Sequence, residues 1–207
     1  RIKSHWFKPG APKSPAEQAS AMAFIVWRVA QNMLKRMRGA HFDIDVGLPY
    51  FAFMREVLVF LVAVTDRIAH ARLEPEARHE FTVALVRHLA RTLQENENDL
   101  LGPVSAGAAP HGDNFIDLVN EVSPHYAEFG ADPMTPDAGA GFHPGFGFVR
   151  YLGSGLEPTL PENARRGVVE QVMAAEAPEA VEIVQRSMRD LYDAAPRRTR
   201  RSSVSGD

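Results

Sequence analysis

Residues 50–73 read YFAFMREVLVFLVAVTDRIAHARL, and their reading decides the fold. Phe51, Phe53, Met54, Val57, Leu58, Phe60, Leu61 and Val64 leave almost no polar face. A helix that is apolar nearly all round belongs in the centre of a bundle or in a bilayer. The longest uncharged apolar run is Val57–Thr65, bracketed by Arg55–Glu56 and Asp66–Arg67. A membrane span needs roughly 18–20 such residues, so the stretch is expected to be a core helix with no membrane span. Its β-branched residues lower helix propensity by only about a few tenths of a kcal/mol each, and packing overrides that.

The segments around it carry helical signals of their own. Ser14-Pro15-Ala16-Glu17 has the spacing of a capping box with proline in the first turn. Behind it, Ala19, Met22, Ala23, Val26, Val29, Ala30, Met33, Leu34 and Met37 recur at three- and four-residue intervals, an apolar stripe over 14–38. Gly39 is the expected turn residue after it. Residues 39–49 form a loop. A further helix is predicted over 75–101, with Phe81, Leu85, His88, Leu89, Thr92 and Leu93 in one stripe and Gly102-Pro103 as its stop.

Beyond the small-residue loop 104–112, Asp113 is a candidate cap for a helix that Pro124 must kink or end. The Gly-, Pro- and Ala-rich loop 130–145 follows, then a short helix over 146–156, another opening at Pro161-Glu162, and a last one interrupted near Ala177-Pro178. These signals predict an all-α, single-domain helical bundle of six or seven helices around the central segment. The domain covers 14–195, between an irregular N-terminal arm (1–13) and an Arg-rich flexible tail (196–207).

Composition bounds the function. The 207 residues include no cysteine, which excludes disulfides, Cys-based metal sites and thiol nucleophiles and fits a reducing, cytoplasmic setting. Net charge is −3, unevenly spread: residues 1–40 carry +7, 41–140 carry −10, 141–195 carry −3 and 196–207 carry +3. Basic ends around an acidic middle are able to dock on one another, within one chain or between two. The acidic middle argues against a nucleic acid lying across the domain.

The sharpest chemical candidate is a carboxylate–histidine metal site. Di-iron bundles use Glu-x-x-His pairs on two helices and single glutamates from two others. Glu76 and His79 have that spacing once, and Glu56, Asp66 and His70 fall along one line of the central helix. The same five residues also fit a solvent stripe and an acidic first turn. No cofactor is required by the sequence. Gly153-Ser154-Gly155 lacks the surroundings of a nucleophile elbow, and Gly139-Ala140-Gly141 lacks the Lys-Ser/Thr of a phosphate loop. Aromatic clusters at 50–60, 115–129 and 142–151 fit a packed core and, as a further alternative, an apolar-ligand pocket.

The stretches SPAEQASAMAFIVWRVA, FLVAVTDRIAHARL and PGFGFVRYLG resemble an uncharacterised all-helical family of bacterial hypothetical proteins, over about residues 14–192. That resemblance implies a helical fold and assigns no activity and no site residue. The favoured functional expectation is a non-enzymatic, cytoplasmic interaction or scaffolding protein that self-associates or binds a protein partner. Phe24, Ile25 and Trp27, which lie off the main stripe of the first helix, are its interface candidates. The rival from another class is a metal-binding bundle, with oxidoreductase chemistry on Glu56, Asp66, His70, Glu76 and His79.

Overall fold

The computed structural model describes residues 13–130 and 142–193; the N-terminal arm apart from Lys13, the tail, and most of the 130–145 loop lie outside the described residues. Within them the chain is all-α, with no strand. Helix α1 (Pro15–Gly39) opens on the expected capping box. The Glu17 amide donates to Ser14 Oγ at 3.2 Å and the Ser14 amide to Glu17 Oε2 at 3.0 Å. Gly39 is not the reversing residue after it. That position falls on His41, at φ 68°, and the Phe42 amide closes the turn on the Met37 carbonyl at 3.0 Å.

The central helix α2 spans Leu48–His70, so it starts two residues before the expected Tyr50 and ends before Leu73. The amides of Ala71, Arg72 and Leu73 fold back onto Ile68 and Ala69 and tighten the last turn. Helix α3 (Pro75–Leu101) stops at Gly102, whose φ of 84° suits glycine. Helix α4 (His111–Glu128) starts two residues before Asp113 and continues past Pro124, which therefore does not end it. The backbone bond that Pro124 cannot make falls on an exposed side of α4, next to exposed Asn120.

Helix α5 covers Phe146–Leu156. Pro161-Glu162 opens only a 3₁₀ turn, Glu162–Ala164, and the next helix, α6 (Val168–Gln171), starts after Gly167 at φ 82°. One π turn, Val172–Glu176, joins α6 to α7 (Ala177–Tyr192). Pro178 has no amide and its ring crowds the carbonyl four residues back, so widening the preceding turn keeps the helix continuous where an interruption was expected.

Counting α6, the π turn and α7 as one rod, six helical rods share one core. α2 packs against α1, α3, α4, α5 and α7, which covers its phenylalanines: Phe51, Phe53 and Phe60 are buried with Phe81, Phe115 and Phe148. Taken whole, α2 is long and apolar enough to cross a membrane, at mean hydropathy 1.7, because a helix-length window tolerates Arg55 and Glu56 where an uncharged run does not. In this structure 61% of that window is buried against the other helices. Two ends follow from the up-and-down path. The α1–α2 turn gathers the ends of α1 and α3 with the starts of α2, α4 and α7. The α2–α3 turn gathers the start of α3 with the ends of α2 and α7, where Arg72 meets Asp193 at 2.8 Å.

Candidate functional site

The five residues of the metal reading do not meet. Asp66 and His70 do share a face of α2, but that face is turned to α3 rather than to a shared ion. Arg78 Nε donates to Asp66 Oδ1 at 2.9 Å, its Nη2 also contacts Asp66, and Thr82 Oγ1 donates to Asp66 Oδ1 at 2.8 Å. Arg78 Nη1 lies 3.2 Å from His70 Nδ1. The hydrogen bond to Asp66 holds Arg78 above its already high ordinary pKa. Glu76 and His79 are exposed on α3, and among the described residues no three His, Asp or Glu side chains converge. Asp66, Arg78 and His70 instead line one side of a surface groove of about 400 Å³ between α2, α3 and α4. Arg67, at its margin, fastens α4 by donating to the carbonyls of Tyr126, Ala127 and Phe129.

Glu56, the fifth candidate, sits elsewhere. It is half-buried under α5, where a Cβ added to Gly155 would fall 2.6 Å from its Oε2. No ion pair reaches it among the described residues. Burial alone pushes its carboxyl pKa up from 4.5. Tyr126 and Tyr151, with ring centroids 5.0 Å apart, have pKa values raised by burial and then by the Glu56 charge. This cluster can hold a proton on a carboxyl above the usual range.

The most buried charged residue among the described residues was not one of the expected site residues. Glu97 is fully buried, with Arg55 Nη2 at 2.5 Å and His111 Nδ1 at 2.9 Å, so it ties α3 to α2 and to the start of α4. Burial raises its pKa, against the pull of Arg55 and His111. Arg55 Nε and His111 Nε2 are enclosed without a hydrogen-bond partner among the described residues. A signal for Glu97 existed: it continues the four-residue series Phe81, Leu85, Leu89, Leu93, where an apolar residue belongs. Glu176, in the π turn, is the second such group; it accepts from Arg36 Nε at 2.8 Å and Gln171 Nε2 at 3.1 Å.

The interface expected on α1 is smaller than its sequence suggests. Trp27 is 7% exposed and belongs to the core, Ile25 is half-buried, and Phe24 faces outward at 60%. α1 is covered by α3, α7 and α2, and Trp27 is buried in the core they share. The exposed apolar cluster lies at the α1–α2 turn instead. Val46 and Leu48 are 70% and 69% exposed, and Leu100 and Leu101 are 50% and 39% exposed. A Cβ built on Gly47, at φ 107°, would lie 3.9 Å from Leu101 Cδ2, which puts the two pairs side by side.

No protein-family model, curated protein or solved structure matches this chain.

Next to these side chains an open groove of about 370 Å³ runs between Tyr50 and Phe51 of α2 and Asn96, Asp99 and Leu100 of α3. Arg38 is the one cation lining it among the described residues, and its guanidinium is held by the Ile44 carbonyl, with Nε at 2.9 Å. That bond fixes the 40–47 loop and so presents Val46. Exposed Asp43 and Asp45 flank Val46 in the loop, and exposed Glu95 and Asp99 lie on the last turns of α3. The result is an apolar patch with a mainly acidic rim.

Proposed function

We propose that this protein is an interaction or scaffolding module whose working surface is the α1–α2 turn end of the bundle. The observation that carries the reading is the clustering of four exposed apolar side chains: Val46 and Leu100 line a groove, and Leu48 and Leu101 adjoin them. Single exposed apolar residues are ordinary on a protein surface, whereas contiguous ones rimmed by charge mark docking sites. The surface is presented rigidly: Arg38 braces the loop, and Glu97 pins α3 to α2 just one turn below Leu100 and Leu101. The acidic rim favours a partner that combines apolar with basic side chains.

Peptide-display selection on the intact protein tests the reading. Selected sequences are expected to combine aromatic with Lys or Arg residues and to lose binding in Leu48→Ser/Leu100→Ser, while that variant melts like the parent. Peptides that bind the double variant as well as the parent would place the working surface elsewhere.

A further inference from the structure

The same surface has a matching ligand in this chain's own sequence. We infer that the α1–α2 turn end of one copy receives the N-terminal segment 1–12 of a second copy. This inference rests on the docking reading above and names its occupant. Residues 1–12, RIKSHWFKPGAP, contain Arg1, Lys3 and Lys8, no acidic residue, and the apolar Ile2, Trp6 and Phe7. The receiving end offers Val46, Leu48, Leu100 and Leu101 beside Asp43, Asp45, Glu95 and Asp99. Apolar groups face apolar groups and cations face carboxylates, a complementarity that fixes register as well as attraction. Two receiving ends pressed together would set like charges against each other, so the patch does not suit a copy of itself.

Reach assigns the segment to a second copy. Arg38, in the last turn of α1, lines the receiving groove, while residues 1–12 join the opposite end of α1 through Lys13 and Ser14. The 25 residues of α1 separate the two by about 37 Å at 1.5 Å per residue. Trp6 and Phe7 lie eight and seven residues before Ser14, which fully extended is at most about 29 Å. Fully extended, the backbone of the aromatic pair stops about 8 Å short of its own chain's groove, a gap its side chains span only with the arm pulled taut, whereas a neighbouring copy demands no such extension. Each copy then carries one donor segment and one acceptor end.

Complementation between two defective variants of the full chain tests this, followed by sedimentation velocity across a concentration series. The parent is expected to self-associate, and more weakly as salt screens the charges. Trp6→Ser/Phe7→Ser removes the donor and Leu48→Ser/Leu100→Ser removes the acceptor. Each variant alone is expected to associate at least about tenfold more weakly, as loss of central apolar anchors does. Mixing the two is expected to restore a complex of one copy each, because an intact donor then meets an intact acceptor. A parent that stays monomeric throughout overturns the inference, and so does a mixture that restores nothing, or a donor variant that associates like the parent. If selected peptides still bind the parent and not the acceptor variant under those outcomes, the docking reading stands and only its occupant is wrong.

Discussion

Two neighbouring turns of α3 invert the usual placement of side chains. Glu97 carries a charge and is fully buried, while Leu100 and Leu101, three and four residues later, are apolar and stand 50% and 39% exposed. The difference lies in the partners. Glu97 enters the interior between Arg55 and His111, one from the helix beside it and one from the start of α4. A buried carboxylate costs several kcal/mol unless such partners meet it (order of magnitude). The leucines lie at the end of the bundle, where α2 is only starting, and the described residues leave them half-open to water. Burial in this protein is set by what the neighbouring helices bring to a level of the bundle, and the apolar count of a helix does not predict it.

The largest expected effect comes from breaking the sealed level. Glu97→Ala leaves Arg55 without its counter-charge and opens space between α2, α3 and α4. A loss of about 3 kcal/mol is expected, read from urea unfolding. Arg55→Leu added to Glu97→Ala is expected to recover part of it, since the orphaned charge then goes too. A loss under about 0.5 kcal/mol for the single change would show that the three groups contribute little.

The pH response sharpens the comparison at a half-buried carboxyl. Burial raises the Glu56 pKa above 4.5 in the folded protein, so the folded state binds more protons than the unfolded chain in the window just above that value. Its contribution is fully present below pH 4.5 and is lost as pH rises through the folded value. Glu56→Gln is expected to lose less stability than the parent across that window, where Glu97 still titrates, and to be more stable at neutral pH, by thermal unfolding. Equal pH profiles for the two would remove Glu56 as the source.

At the open end the effects on folding are smaller. His41 holds a left-handed backbone conformation that costs a side chain roughly 1 kcal/mol. His41→Gly is expected to stabilise by up to about that much, less the entropy glycine gains when unfolded. The smallest change belongs to the leucines themselves. Leu100→Ser/Leu101→Ser is expected to stay within about 0.5 kcal/mol of the parent, as surface substitutions do. A loss of 2 kcal/mol or more, on the scale of a buried leucine, would show that the patch is part of the core.

Much of the architecture was legible in the residues. The Ser14 capping box, the α1 stripe, the Gly102 stop and the all-round apolar α2 are local patterns, and each formed, with α2 shifted by two or three residues at its ends. The Pro178 break was legible in place but not in form, because widening one turn into a π turn keeps the rod continuous. The site was much less legible. Asp66 and His70 were rightly put on one face, but their neighbour proved to be Arg78, which lies on the next helix. Trp27 looked like surplus surface because the helices that pack on α1 come later in the chain. Glu97 stood out of its stripe as a lone acid, and nothing near it in sequence named Arg55 or His111.

What the sequence determined alone was the kind and the order of the elements, since periodicity, caps and turn residues act within a few residues of one another. Which charges are buried, which apolar residues remain in water, and which groups face each other were decided by tertiary packing. The reason is distance along the chain. Glu97 meets Arg55 across 42 residues, Arg36 meets Glu176 across 140, and Val46 comes beside Leu100 only because α2 and α3 run back to one end.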